Sequence, residues 1–212
     1  MEIRNIVFDL GGVLLNINYD LTIDQFKKLG VRDFDSIFNQ ASQVMLFDRF
    51  DKGAISPEDF RDELRRISGL AARDYEIDQA WNAMLLDLPA RRLALLEMVR
   101  KRYRIFLLSN TNAIHYPAYS EGLFKKYGFT DLEELFEKQY LSYKIGMRKP
   151  DREIFDFVLE ENGLRAEETL FIDDTFQHVE GARKAGLKAH HLDTGKAEVA
   201  DLFTSGHRLK SL

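Results

Sequence analysis

The sequence has no cysteine in its 212 residues, and it has only four prolines and one tryptophan. Without thiols the chain cannot form a disulfide, a thiolate nucleophile or a cysteine-bound zinc or iron–sulfur site. No apolar run approaches the roughly 20 residues that a membrane-spanning helix needs. The first residues also lack the basic stretch and apolar core of a secretory signal peptide. We therefore expect a cytoplasmic protein with no membrane partner.

A strong excess of one charge is also missing. The 30 basic and 35 acidic side chains leave a net charge of −5, which gives no support for a nucleic-acid partner. A hydrophobic content of 45% and a charged content of 31% are ordinary for a globular protein. The length suits a core domain that carries a smaller insert. The sequence leaves the oligomeric state open.

Short apolar runs alternate with helical patterns over most of the chain. Runs that are apolar on successive residues are typical of strands buried on both faces of a parallel sheet. The alternation predicts an α/β fold with a doubly wound, mostly parallel sheet of Rossmann-like type. The predicted strands are 6–8, 105–108, 139–141, 170–172 and, more weakly, 188–192; the accompanying helices are 90–102, 151–162 and 179–185.

A long segment between the first two strands has a different character. Residues 17–87 show no strand pattern but have helical apolar stripes at about 21–29, 34–47 and 60–67. A parallel crossover needs only a dozen or so residues. We therefore predict an α-helical domain at 17–87, inserted into a core domain made of residues 1–16 and 88–212. Ser56 followed by Pro57 predicts the start of one of its helices.

Polar side chains follow three of the predicted strands. Asp9, Ser109 and the pair Asp173 and Asp174 stand at strand ends, and Lys149 precedes the next helix. In an open parallel sheet, ligands bind beyond the carboxyl ends of the strands, so these groups are expected in one crevice. Clustered carboxylates repel one another unless a cation lies among them. Carboxylate oxygens without histidine or cysteine favour Mg²⁺.

These residue types suit the hydrolysis of a phosphate ester. A carboxylate can attack phosphorus and form an aspartyl-phosphate, while Mg²⁺ and Lys149 neutralise the phosphoryl oxygens. Ser109 and backbone amides can hydrogen-bond those oxygens, and Gly11 and Gly12 let the chain approach closely. Each residue alone has an ordinary structural interpretation, as a helix cap, a loop residue or a surface lysine. Their combined order at strand ends is much more specific.

Four short motifs resemble those of the haloacid dehalogenase-like (HAD) hydrolase superfamily, and the resemblance runs from about Asn5 to Leu192. The insert resembles the helical cap of that family. The stretch from Leu141 to Pro150 is especially similar to a bacterial subgroup that includes an α-glucose-1-phosphate phosphatase. The four motifs are Phe8-Asp9-Leu10-Gly11-Gly12-Val13, Leu108-Ser109-Asn110-Thr111-Asn112, Lys149-Pro150-Asp151 and Phe171-Ile172-Asp173-Asp174.

The resemblance implies a Rossmann-like core, a Mg²⁺ cofactor, a small phosphorylated metabolite as substrate, and a role for each motif residue. It implies that Asp9 is both the nucleophile and a metal ligand, and that Lys149 is the second catalytic residue. The implied metal-site residues are Asp9, the backbone carbonyl of Gly11, Asp174 and, in support through water, Asp173. The implied phosphate- or substrate-binding residues are Gly12, Ser109, Asn110 and Lys149.

One position departs from the family pattern. Most family phosphatases have a second aspartate two residues after the nucleophile, which serves as general acid and then as base, whereas this chain has Gly11. General acid–base catalysis typically contributes about 10²–10⁴ in rate, so its loss would slow the enzyme without abolishing activity. The resembling subgroup also has glycine here, and an anomeric phosphate has a better leaving group than an ordinary alkoxide. A cap residue or a water molecule could also supply the proton.

We therefore predict a Mg²⁺-dependent phosphatase that acts through an aspartyl-phosphate on Asp9, with sugar 1-phosphates as the first substrates to test. One alternative is a catalytically weak protein that binds phosphate or a phosphosugar. Another is a metal-independent haloacid dehalogenase, although such enzymes generally lack the acidic pair that Asp173 and Asp174 form here. Phosphoryl transfer or mutase activity is a further possibility. His178, where the family often has asparagine, is predicted to have a supporting or structural role.

Overall fold

The protein is built on a five-stranded parallel sheet with helices on both faces. A computed structural model describes residues 2–31, 34, 41–128 and 131–210. The strand order is β3-β2-β1-β4-β5, and every neighbouring pair is parallel, which confirms the predicted doubly wound α/β architecture. The strands are β1 (Asn5–Phe8), β2 (Arg104–Ser109), β3 (Lys138–Leu141), β4 (Thr169–Asp173) and β5 (Lys188–His191).

The register of the sheet places the ends of three central strands side by side. Phe8, at the end of β1, is aligned with Leu107 of β2 and with Ile172 of β4. Asp9 continues the line, because its backbone N–H donates to the carbonyl of Ile172 at 2.9 Å. The chain segments after β1, β2 and β4 therefore leave the sheet at one edge.

Alternate side chains of the strands enter two apolar clusters, one on each side of the sheet. On β1, Ile6 and Phe8 belong to one cluster and Val7 to the other. Helices cover both clusters, so the strands are buried on both faces. The labels α1 to α4 are given to the helices of the insert, described next. The helices that cover the sheet are α5 (Ala90–Val99), α6 (His115–Tyr127), α7 (Ser142–Ile145), α8 (Arg152–Asn162) and α9 (Phe176–Lys184).

The segment predicted as a helical insert contains four helices among its described residues. Its helices are α1 (Tyr19–Lys28), α2 (Ala41–Asp51), α3 (Pro57–Ser68) and α4 (Asp74–Asn82). Ser56 caps α3 with a reciprocal pair of hydrogen bonds to Asp59, as the sequence predicts. Of the predicted stripe at 34–47, the positions 35–40 lie outside the described residues. Sequence periodicity did not identify α4.

Aromatic rings form the interior of the helical insert. Phe47 stacks on Trp81 with 5.2 Å between ring centroids, and Phe50 stacks on Phe60 at 4.1 Å. Together with other buried side chains they form an apolar cluster separate from the two sheet clusters. Among the described residues, every helix is too short or too polar to cross a bilayer. The division into domains at 17–87 stays a prediction.

Candidate active site

The side chain of Lys149 lies at the centre of the polar cluster beyond the strand ends. It is completely buried, and its Nζ donates hydrogen bonds to Asp9 Oδ1 at 2.6 Å, to Asp173 Oδ2 at 2.7 Å and to the carbonyl of Leu108 at 2.9 Å. All three donor positions of the ammonium are thus occupied. The structure brings together the residues predicted from the ends of β1 and β4 with the predicted lysine.

The backbone of Lys149 is held by the loop that follows β2. The Asn110 side chain donates to the Lys149 carbonyl at 2.9 Å and accepts from its N–H at 3.0 Å. A second tie links the loop to the start of α7, where Ser142 Oγ accepts from the N–H of Thr111 and donates to its carbonyl. The amide of Asn110 is therefore committed to positioning Lys149, and its predicted role in substrate binding stays a prediction.

The two aspartates at the end of β4 have different surroundings. Asp173 is fully buried; its carboxylate accepts from Lys149, from the N–H of Thr175 at 2.8 Å and lies 3.1 Å from His178 Nδ1. Burial would raise the pKa of Asp173, but Lys149 and His178 outweigh it and hold the pKa below its ordinary value. Asp174 is only partly buried, and its carboxylate accepts a long hydrogen bond, 3.4 Å, from the Thr175 hydroxyl. It is thus the more available of the two for an external ligand.

The cluster carries an excess of negative charge. One oxygen from each of Asp9, Asp173 and Asp174 lies within 4.8 Å of the other two, and the single ammonium of Lys149 contacts only Asp9 and Asp173 among them. Burial raises the pKa of Asp9, Lys149 opposes this rise, and Asp173 adds to it. Burial and the charge of Asp173 likewise raise the pKa of Asp174. A divalent cation held by hard oxygen ligands would relieve this repulsion, so the donor set fits Mg²⁺.

Gly12 leaves the space that the Asp174 carboxylate occupies. Its backbone φ of +76° is one that residues other than glycine rarely adopt. A Cβ on residue 12 would lie 2.0 Å from Asp174 Oδ2, so any larger residue would displace that carboxylate. At Gly11, in contrast, a Cβ would have only Ile17 side-chain atoms within 4 Å, the nearest at 3.3 Å. A side chain is therefore excluded at position 12 by the Asp174 carboxylate, whereas position 11 has room for one if the Ile17 side chain shifts slightly.

We expect Gly12→Ala to weaken Mg²⁺ binding at least about tenfold, since displacing an oriented carboxylate typically costs 10–100-fold in metal affinity. Calorimetric titration of Mg²⁺ into the purified protein measures this. The matched control is Gly128→Ala, which also sits at a positive φ, of +78°, but has nothing within 4 Å of a Cβ. Equal loss of Mg²⁺ affinity in both variants would contradict the steric explanation.

Several polar contacts at the rim of this site could not be identified from the sequence. Asp51, at the end of α2, accepts a hydrogen bond from Asn112 at 3.2 Å and lies 3.8 Å from Arg148. Arg148 also forms an ion pair with Asp48, and Lys52 pairs with Asp151 at 2.7 Å. The nearest signal in the sequence is the position of Arg148 directly before Lys149. The partner residues lie far away along the chain, in the helical insert.

Comparison with known proteins identifies the family. The family model for haloacid dehalogenase-like hydrolases matches residues 3–186. This chain belongs to that family, as the four motifs predicted, and the prediction that it is a hydrolase is confirmed. The more specific resemblance to the α-glucose-1-phosphate phosphatase subgroup stays a prediction.

Named relatives cover nearly the whole chain. D-ribitol-5-phosphate phosphatase of Bacteroides thetaiotaomicron is 33% identical over 193 residues, which is 91% of this chain and 93% of that protein. Sesquiterpene phosphatase astK of Aspergillus oryzae is 27% identical over 197 residues, 92% of this chain and 93% of that protein. A HAD family enzyme from Bacteroides thetaiotaomicron, solved in complex with magnesium and inorganic phosphate, has a TM-score of 0.86 and 39% identity, covering 95% of this chain and 100% of that chain.

Proposed function

We propose that the protein is a Mg²⁺-dependent phosphatase that cleaves a small phosphorylated metabolite through an aspartyl-phosphate on Asp9. The observation that carries this proposal is the buried cluster in which Lys149 joins Asp9 to Asp173 while Asp174 remains available for a metal. The named relatives are phosphatases, and a related enzyme binds magnesium with inorganic phosphate, which supports the same chemistry here.

Each residue of the cluster has a task in this reaction. Asp9, the Gly11 carbonyl and Asp174 would hold Mg²⁺, with Asp173 in support; when bound, the ion supplies positive charge for the phosphoryl oxygens. Lys149 orients the Asp9 carboxylate and supplies a second positive charge. Ser109 and nearby backbone N–H groups would bind the phosphoryl oxygens, whereas the N–H of Gly12 donates to the Leu15 carbonyl at 2.8 Å. Asp9 attacks phosphorus, and water then hydrolyses the aspartyl ester.

The substrate class is narrowed by the relatives and by position 11. A relative named for D-ribitol-5-phosphate supports a phosphorylated sugar or sugar alcohol. Sugar 1-phosphates are the subclass that the glycine at position 11 favours where no other side chain supplies the proton, because their leaving group needs less help from an acid. We also propose that residues 17–87 act as a cap that closes over the site and excludes water, and that the enzyme works in the cytoplasm.

The test is release of inorganic phosphate from a panel of sugar 1-phosphates, primary sugar and polyol phosphates, nucleotides and acyl phosphates, with and without Mg²⁺. We expect release that requires Mg²⁺ and is greatest among phosphorylated sugars or polyols. The control is Asp174→Asn, which should raise the Mg²⁺ concentration needed for half-maximal activity. A folded protein that binds Mg²⁺ and phosphate but releases none would instead be a binding protein.

A dehalogenase activity is disfavoured by the charge of the site. A metal-free dehalogenase must accept an anionic haloacid beside Asp9, where Asp173 and Asp174 add two carboxylates. The ammonium of Lys149 is already shared between Asp9 and Asp173. Turnover of a haloacid in the presence of a chelator, with no phosphatase activity, would overturn the proposed function.

A further inference from the structure

The carboxyl group of Asp51 lies between the helical insert and the loops that carry the reactive groups. Its Oδ1 accepts from Asn112, three residues after Ser109, and its Oδ2 faces Arg148, the residue before Lys149. Its side chain is 20% exposed. Gly53, two residues further on, packs so closely that a Cβ there would lie 2.2 Å from the Tyr143 carbonyl. This close approach fixes the end of α2 against the core.

The Tyr19 phenol lies within electrostatic range of Asp51 and of the metal-site acids. Tyr19 is the first residue of α1 and is half-exposed at the rim. Burial raises the pKa of its phenol, and the charges of Asp174, Asp9 and Asp51, in decreasing order, raise it further. The Tyr19 phenol is therefore within electrostatic reach of both the nucleophile and Asp51.

The environment of Asp51 brings its pKa close to neutral pH. Burial raises its pKa to about 7, and the hydrogen bond from Asn112 lowers it by less. The Arg148 guanidinium, from the loop before Lys149, lies 3.8 Å from Asp51, and the Tyr19 phenol of α1 lies within its electrostatic range. Two charged residues are close to it in the chain: Asp48, which pairs with Arg148, and Lys52, which pairs with Asp151. A carboxyl with a pKa near the working pH suits both proton donation and proton acceptance.

We propose that Asp51 supplies the general acid–base function for which position 11 has no side chain; this inference rests on the proposed phosphatase activity. In the first step, an Asp9 oxygen bonds to phosphorus, the bond from phosphorus to the ester oxygen breaks, and the Asp51 proton passes to that oxygen to give the alcohol. In the second step, the Asp51 carboxylate takes a proton from water as the water oxygen attacks phosphorus. The bond to Asp9 breaks, phosphate leaves and Asp51 is protonated again.

A purely structural role for Asp51 makes a different prediction. The same carboxyl touches Arg148, and Asp48 pairs with that arginine as well. If Asp51 only docks the helical insert on the core, then Asp48→Asn should impair activity in the same way as Asp51→Asn. It should also impair all substrates equally, because docking does not depend on the leaving group.

The experiment compares kcat/KM of the wild type, Asp51→Asn and Asp48→Asn on two phosphate esters with Mg²⁺. One is ribitol 5-phosphate, or the best alkyl ester found in the panel, whose alkoxide needs a proton; the other is dinitrophenyl phosphate, whose phenolate leaves without one. For Asp51→Asn we expect a fall of about 10²–10⁴ with the alkyl ester and less than about threefold with the aryl ester. Asp48→Asn should show no such difference between the esters.

Two further readouts separate the acid from the base role. On dinitrophenyl phosphate, Asp51→Asn should release a burst of one dinitrophenolate per enzyme and then turn over slowly, because attack by water has lost its base. With the alkyl ester, wild-type kcat/KM should fall as pH rises through about 7, where Asp51 loses its proton. This decrease should be absent from the pH profile of Asp51→Asn. A second variant, Gly11→Asp in the Asp51→Asn background, should restore part of the alkyl-ester activity.

Loss of activity that is equal for both esters, or an equal loss in Asp48→Asn, would overturn the inference while leaving the phosphatase intact. Unchanged activity of Asp51→Asn on the alkyl ester would overturn it as well. Release of no phosphate from either ester by the folded wild type would overturn the proposed function and this inference together. Circular dichroism and a melting curve of each variant establish that it is folded before these comparisons are made.

Discussion

Replacement of Lys149 by methionine is expected to lower the free energy of unfolding by about 3–5 kcal/mol, because removing one partner of a buried ion pair leaves an uncompensated charge. The ammonium is completely buried and donates to Asp9, Asp173 and the Leu108 carbonyl. Methionine fills most of the volume but leaves those carboxylates without their cation. Urea denaturation without divalent cations, at neutral pH, measures the loss. Phosphatase activity should disappear with it.

The pH dependence of this loss distinguishes charge from packing. In the wild type the pKa of Asp173 is held below its ordinary value, so its contribution to stability is present above the ordinary pKa and is lost in acid. In Lys149→Met, burial without the ammonium should raise the pKa of Asp173 and raise further the already elevated pKa of Asp9, so that variant loses more stability than the wild type as pH rises. The difference between the two proteins should therefore be largest near pH 7–8 and shrink toward about pH 4.

The control for this pair of measurements is Lys184→Met, which changes an exposed lysine at the end of α9. A surface substitution of this kind usually changes stability by no more than about 0.5 kcal/mol. If Lys149→Met were no less stable than this control, the buried ammonium would not be what holds the carboxylates together. If the loss did not vary with pH, packing of the lysine stem would explain it better than charge.

The sequence predicted the strand ends because the sheet follows simple rules. The apolar runs ending at Asp9, Ser109 and Asp173 are buried on both faces, and parallel neighbours bring such ends to one edge. No rule of this kind predicts that Asp51 meets Arg148, because the packing of a helical insert on a sheet depends on surface shape and not on periodicity. The contacts that support the further inference were therefore visible only in the structure.

Helix α6 shows a second limit of periodicity. It begins at His115 and contains Pro117 in its first turn and Gly122 in its middle. Both residues have low helix propensity, although proline is tolerated in a first turn because its missing N–H has no partner there. The loop before it, from Ser109 to Asn112, carries the second sequence motif. The Asn112 side chain in this loop accepts a hydrogen bond from the N–H of His115 at the start of the helix. The motif was therefore easier to identify than the helix that it starts.

Replacement of Asp9 by asparagine is expected to reduce kcat by about 10⁴-fold or more, because an amide cannot form the covalent ester through which the reaction passes. The asparagine side chain can still accept a hydrogen bond from Lys149, so the fold should persist. The wild-type enzyme is mixed with the best substrate of the panel, carrying a labelled phosphate group, and the reaction is quenched in acid. The quenched protein should carry the label, and hydroxylamine should remove it. The Asp9→Asn protein should carry none.

The stability of Asp9→Asn should move in the opposite direction from its activity. Three carboxylates face one ammonium in the wild type, and burial already raises the pKa of Asp9. Removing one negative charge reduces that repulsion, so without Mg²⁺ the melting temperature should be equal to or above that of the wild type. Asp24→Asn, on the exposed side of α1, is the control and should change neither quantity. If Asp9→Asn retained turnover and protein-bound label, the nucleophile would be another residue. If its melting temperature without Mg²⁺ were lower than that of the wild type, the ion pair of Asp9 with Lys149 would outweigh the repulsion from Asp173 and Asp174.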